Sequence, residues 1–171
     1  MGDDEITPTD MAEGDELMAK MEIEESKVLF TEAGALSAGA DILETFGFDD
    51  AAKVASTAAA ATYADATRDL IQGMDLATAA TQWREVADDL KQQAKAQGEA
   101  YAADAEADYA EDELKKGDLS ERERTSLAVG AAQNRATQEV LSRRAEELGD
   151  SAKTAADTAQ DLERAARNLD D

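Results

Sequence analysis

The chain has 171 residues, 40 Asp or Glu against 17 Lys or Arg, a formal net charge of −23, and neither cysteine nor histidine. This excludes disulfides, thiolate chemistry, Cys-based zinc sites, the usual histidine general base and the commonest transition-metal ligand. Val, Ile, Leu and Phe number only 26, roughly 15% of the chain, which at such a charge is normally the composition of a disordered protein.

Alanine argues against disorder. There are 38, about 22% of the chain, and alanine is the best helix former, losing no side-chain entropy on folding. The only proline, Pro8, lies outside the main helical pattern. The expectation is an all-α protein of about five helices, in an elongated bundle or coiled-coil-like array. Its core is thin, with alanine at close helix contacts.

The elements follow in chain order. Residues 1–9 read as a flexible acidic arm, and 10–171 as a single helical domain. Asp10 with Glu13 resembles a capping box, opening a helix over about 10–46. Met11, Met18, Met21, Val28, Ala35, Gly39, Leu43 and Phe46 trace its apolar stripe. The run Gly34 to Ala40 is all small apart from Leu36, and marks either a close helix approach or a break. Gly47-Phe48-Asp49-Asp50 reads as stop, turn and new N-cap. The next helix spans about 50–72, with Val54, Ala58, Ala61, Ala64 or Asp65, Arg68 and Ile71 on one face, and its centre, Ala58 to Ala61, is small on every side. Gly73 and Asp75 mark a further boundary. A long helix follows, about 75–116, with the clearest stripe: Leu76, Ala80, Trp83, Ala87, Leu90 and Ala94, then Gly98, Tyr101, Ala105 and Tyr109. Gly117-Asp118 ends it. Ser120 and Glu123 form a capping box for a helix over about 120–148, carrying Leu127, Gly130 or Ala131, Asn134, Leu141, Ala145 and Leu148. Gly149-Asp150-Ser151 is a candidate break before the last helix, about 151–169, with Ala152, Ala155, Ala159, Leu162, Ala166 and Leu169 on one face.

No catalytic, cofactor-binding or metal-binding residues emerge. Adjacent carboxylates such as Asp88-Asp89, Glu24-Glu25 and Glu146-Glu147 point about 100° apart on a helix and do not converge on one ion. No calcium loop or phosphate loop occurs. Direct nucleic-acid binding is not expected, because Arg143-Arg144 and Lys115-Lys116 are pairs and not a basic face. A membrane role is disfavoured, since no run approaches about 18 apolar residues. The N-terminal ten residues lack the basic-then-apolar pattern of a secretory signal. The expected location is cytoplasmic or virion-associated.

The acidic excess has three readings. One is a surface adapted to salt: charge repulsion destabilises a compact state in dilute buffer and is screened at molar salt, where the Debye length is about 3 Å. The others are a DNA mimic and an acidic protein that binds basic partners. Across its length the composition, rich in Asp and Ala and poor in Lys, resembles that of haloarchaeal acidic proteins. The stretches Lys91-Gln92-Gln93-Ala94-Lys95-Ala96-Gln97 and Gly130-Ala131-Ala132-Gln133-Asn134-Arg135-Ala136 are also similar in texture to internal helical virion proteins of tailed viruses.

These resemblances imply a non-enzymatic structural or assembly protein in a salt-adapted particle or complex, with protein partners: a homo-oligomer or larger assembly. The alternatives are a helical adaptor or chaperone using its Met-rich N-terminal helix, and an acidic DNA-mimic inhibitor. No cofactor is implied. Candidate interface residues are Met11, Met18, Met21, Val28, Trp83, Leu90, Tyr101 and Tyr109.

Overall fold

The computed structural model describes residues 6–116 and 118–169, of which 93% are helical, with no strand among them. Three helices account for this: α1 (Pro8–Thr45), α2 (Asp49–Lys115) and α3 (Glu121–Arg167). The all-α class is as the sequence predicts, but the count of five is corrected to three. Neither the Gly73–Asp75 boundary nor the Gly149–Ser151 break exists, and α1 runs unbroken through 33–40.

The true ends are those with side-chain caps. Thr7, not Asp10, is the first N-cap: its hydroxyl accepts from the Asp10 N–H at 3.2 Å, and its own N–H donates to the Asp10 carboxylate at 2.9 Å. Pro8 then takes the first helical turn, where its missing N–H costs nothing. Helix therefore begins inside the stretch read as an arm, while residues 1–5 and Gly117 lie outside the described residues. Gly47, at φ 79°, supplies the left-handed turn between α1 and α2. Ser120 and Glu123 form the expected reciprocal cap of α3.

The described chain falls into two compact units: 1–84 with 156–171, and 85–155. In the first, α1 and the start of α2 form an antiparallel hairpin. Its register is fixed by the Phe30–Tyr63 ring contact (5.0 Å, edge-on), by the approach of Gly73 to Ala19 and Ile23, and by the Arg84–Glu16 ion pair. The buried positions of α1 are Ala12, Ala19, Ser26, Ala33 and Ala40; those of α2 include Ala52, Ala59, Ala66, Gly73 and Ala80. Both sets repeat every seven residues, the period that keeps one seam facing a partner helix. The hairpin register sets them level in five layers: Ala40 with Ala52, Ala33 with Ala59, Ser26 with Ala66, Ala19 with Gly73, and Ala12 with Ala80. Every layer pairs two small residues, so the backbones approach closely and nothing bulky fits between them.

In the second unit, α2 packs antiparallel on α3 by the same device. Ala96, Ala103 and Ala110 are buried on α2, as are Ala131 and Ala145 on α3. Gln93 against Gly149 and Asn134 against Glu106 fix the register.

The core is therefore mostly alanine, and the large side chains buried in it among the described residues are Leu76, Trp83 and Val86. This corrects the expected stripe of α1: Met18, Met21, Val28 and Phe46 are exposed, and the buried column lies one residue on from Met11 and Met18. Over 50–72 the expected face is displaced: Val54, Ala61, Arg68 and Ile71 are exposed, and the buried residues are Ala52, Ala59 and Ala66. The stripe expected over 75–116 holds as far as Trp83. It then fails at Leu90, Tyr101 and Tyr109, which are exposed. The α3 stripe holds throughout, because its buried residues are themselves the alanines named from the sequence.

Candidate functional site

In the first unit a third helix lies on the α1–α2 hairpin: the last turns of α3. Ala19, Leu76 and Ala166 form one buried cluster. Beside it Trp83, 4% exposed, donates its indole N–H to Glu163 Oε1 at 2.7 Å, and Arg167 donates to Glu163 Oε2 at 3.2 Å. Asp15 faces the same carboxylate, and its Oδ2 is shut off from solvent without a donor. Burial, and then the charge of Glu163 and a hydrogen bond shared with it, push Asp15 up to about 6; Arg167 pulls it the other way. Asp15 therefore keeps its proton into the mildly acidic range. Nearby, Glu16 hydrogen-bonds Lys20 and pairs with Arg84, which holds its carboxyl below the usual range.

The side chains of α1 and α2 that meet α3 belong to columns seven residues apart. Asp15 lies three and four heptads below Leu36 and Leu43 on α1. Leu76 and Trp83 lie three and four heptads from Ala55 on α2. Helix α3 ends at Arg167, but the columns run on towards the hairpin tip. There they line an open apolar groove of about 540 Å³, formed by Glu32, Ala35, Leu36, Gly39, Leu43 and Ala55. Ile42 (58% exposed) and Phe46 (73%) are also exposed near the end of α1.

Between α3's end and this groove, the Glu22, Glu25 and Asp69 carboxylates bring oxygens within 4.8 Å of one another, all partly or fully exposed. Sequence reasoning missed this cluster, because Asp69 joins the Glu22/Glu25 pair, spaced by three, only through the hairpin register. In the second unit, Arg135 binds three carboxylates of α2: Glu111 through Nε at 3.0 Å, with Asp104 and Asp108 on its other nitrogens. Hydrogen bonds to Glu111 and Asp108 hold it firmly protonated. Also there, Gln93, Gln97, Tyr101, Gln138 and Ser142 line a shallow polar groove of about 310 Å³.

The candidate interface residues do not form one site. Met18, Met21 and Val28 share an exposed part of α1, with Met11 half-buried. Leu90, Tyr101 and Tyr109 lie exposed on α2 in the second unit. Trp83 is taken into the chain's own core. No helix among the described residues is long and apolar enough to cross a membrane. Comparison with protein-family models, curated proteins and solved structures finds no match to this chain.

Proposed function

We propose that this is a non-enzymatic assembly protein that forms helical contacts between copies of itself in a salt-adapted particle or complex. The observation that supports this is the inverted placement of side chains. Alanine fills the seams, whereas Leu17, Met21, Val28, Ile42, Phe46 and Val54 are each more than half exposed. Burying a large apolar side chain is worth about 1.5–3 kcal/mol, and a folded chain that leaves so many outside retains that driving force for association. The negative surface repels a second copy in dilute buffer and ceases to do so once salt screens it.

A second reading has its own support. Met18 (46% exposed) and Met21 (58%) stand beside Leu17 and Val28 on α1, an adaptable surface for a different protein partner. Size-exclusion chromatography with light scattering at about 2 M salt separates the two. Self-assembly gives a discrete multiple of the 18.2 kDa chain that grows with concentration. A monomer at every concentration overturns it and leaves the adaptor reading.

A further inference from the structure

We infer that the last turns of α3 form a pH-operated latch on the α1–α2 hairpin, one that lifts when Asp15 and Glu163 meet as two carboxylates.

The latch point is a carboxyl group set against a carboxylate in a nearly closed space. Asp15 Oδ2, on α1, is shut off from solvent and has no hydrogen-bond donor. The Glu163 side chain, on α3, is only 13% exposed, and both its oxygens are engaged: Oε1 by the Trp83 indole at 2.7 Å, Oε2 by Arg167 at 3.2 Å. A neutral Asp15 fits such a place. An ionised one leaves a buried oxygen without donor or water, beside a second negative charge.

The cations nearby are engaged elsewhere. From α3, Glu163 and Arg167 face Asp15, and Arg167, 77% exposed at the helix end, serves Glu163. Arg164 is exposed and paired with Asp161. From α2 the site receives the uncharged indole of Trp83, while Arg84 pairs with Glu16. On α1 itself, Lys20 also pairs with Glu16.

Of the helices that meet here, α3 is held least. Helices α1 and α2 are locked by five layers of small residues, the Phe30–Tyr63 contact and the Arg84–Glu16 pair. Among its described residues, segment 156–171 brings two buried ones, Ala159 and Ala166, and the Trp83–Glu163 bond. Alanine contributes little apolar area, and helix ends open at lower free energy than packed interiors. Lifting these turns lets water reach Asp15 and parts the two carboxylates without unpacking the hairpin.

The direction with pH follows. A carboxyl that titrates at about 6 when docked, against an ordinary 3.8, favours the docked state at low pH and loses that hold as pH rises through 6. Fully expressed, the difference multiplies the open fraction about 25-fold between about pH 4.5 and about pH 7.5; a side chain that solvent still reaches in part keeps about five-fold of it.

The test uses the full chain with Ala166→Cys, since the chain has no cysteine of its own. Labelling by a disulfide reagent that reacts at acid pH is timed at about pH 4.5 and about pH 7.5 in about 2 M salt. Each rate is compared with that of the urea-unfolded chain at the same pH, which removes the thiol's own titration. Protection is expected to fall about five-fold between the two pH values, to respond to low urea far less than global unfolding does, and to become level with pH once Asp15→Asn is added. Equal protection at both pH values, a fall that Asp15→Asn leaves in place, or a urea slope equal to that of global unfolding each overturns the latch. Should Ala166→Cys lose helicity, Leu76→Cys, which removes volume from the same cluster, is labelled in its place with the same outcomes.

Discussion

Replacing Gly73 by alanine sets two effects against each other. In the interior of an exposed helix, Gly→Ala gains about 1 kcal/mol, because alanine loses less backbone entropy on folding. At Gly73 the added methyl would lie 2.7 Å from Ile23 Cγ1, 3.1 Å from the Ala19 carbonyl oxygen and 3.2 Å from Glu22 Cβ. The carbonyl belongs to the α1 backbone, so relief requires the two helices to part at a layer they share with four others. Overpacking of this kind costs about 1–3 kcal/mol. The clash wins, and the net change is a loss of about 1 kcal/mol. Gly34 provides the control in the same unit. It is exposed, and a methyl there meets nothing within 4 Å, so Gly34→Ala gains about 0.5–1 kcal/mol. One chemical change thus comes out with opposite signs at two glycines, separated by about 2 kcal/mol. Urea denaturation followed by helical circular dichroism, at about 2 M salt and matched protein concentration, reads the difference as a shift in midpoint at constant slope. Equal upward shifts for both variants would refute the close-packed seam.

Three further outcomes follow from the same structure. Ala66→Leu, at a position with no exposure in the layer with Ser26, is expected to lose about 1–3 kcal/mol in the same assay, whereas Met21→Ala on the exposed face stays within about 0.5 kcal/mol. The Asp15 carboxyl titrates at about 6 in the folded chain against an ordinary 3.8, so the folded state holds a proton that the unfolded chain releases. Its contribution to stability therefore falls as pH rises from about 4 to about 6 and stays lost above. The shift corresponds to at most about 3 kcal/mol, discounted to about 1 for a side chain that solvent still reaches. Asp15→Asn should accordingly stabilise the protein at pH 7.5 and lose that advantage at pH 4.5, and a gain of equal size at both pH values would contradict the raised Asp15 carboxyl. Arg135→Ala leaves Asp104, Asp108 and Glu111 facing one another, so its melting temperature should drop more at about 0.1 M than at about 2 M salt; a salt-independent drop would mean that Arg135 acts through packing.

Helicity and the two reciprocal or turn-based boundaries were legible in the sequence. The turn at Gly47 needs a left-handed residue, and Ser120 with Glu123 satisfies two backbone donors at once. The false boundaries came from reading glycine as a stop. Gly73 is where it is because α1 passes too close for a side chain, a fact that depends on a residue fifty positions away. The misplaced stripe of α1 has a related cause. The periodicity of large apolar residues marks another face, whereas this seam accepts only small ones. Its true signal, Ala12, Ala19, Ser26, Ala33 and Ala40 at intervals of seven, is hidden in a chain with alanine throughout. Along α3 few bulky residues compete with the alanines, and there the stripe was read correctly. The groove is half legible: segment 33–40, without charge, and segment 51–66, with only Lys53 and Asp65 charged, read as small-residue surfaces. What exposes Leu36 and Leu43 is the point at which α3 stops.

The most direct test of the assembly account is molar mass by light scattering, with helicity by circular dichroism, from about 0.1 to about 3 M salt, a range over which screening becomes nearly complete. The account predicts rising helicity and a discrete oligomer at high salt. A folded monomer indifferent to salt would contradict it, and would leave the acidic surface to be explained by a basic partner or by mimicry of DNA.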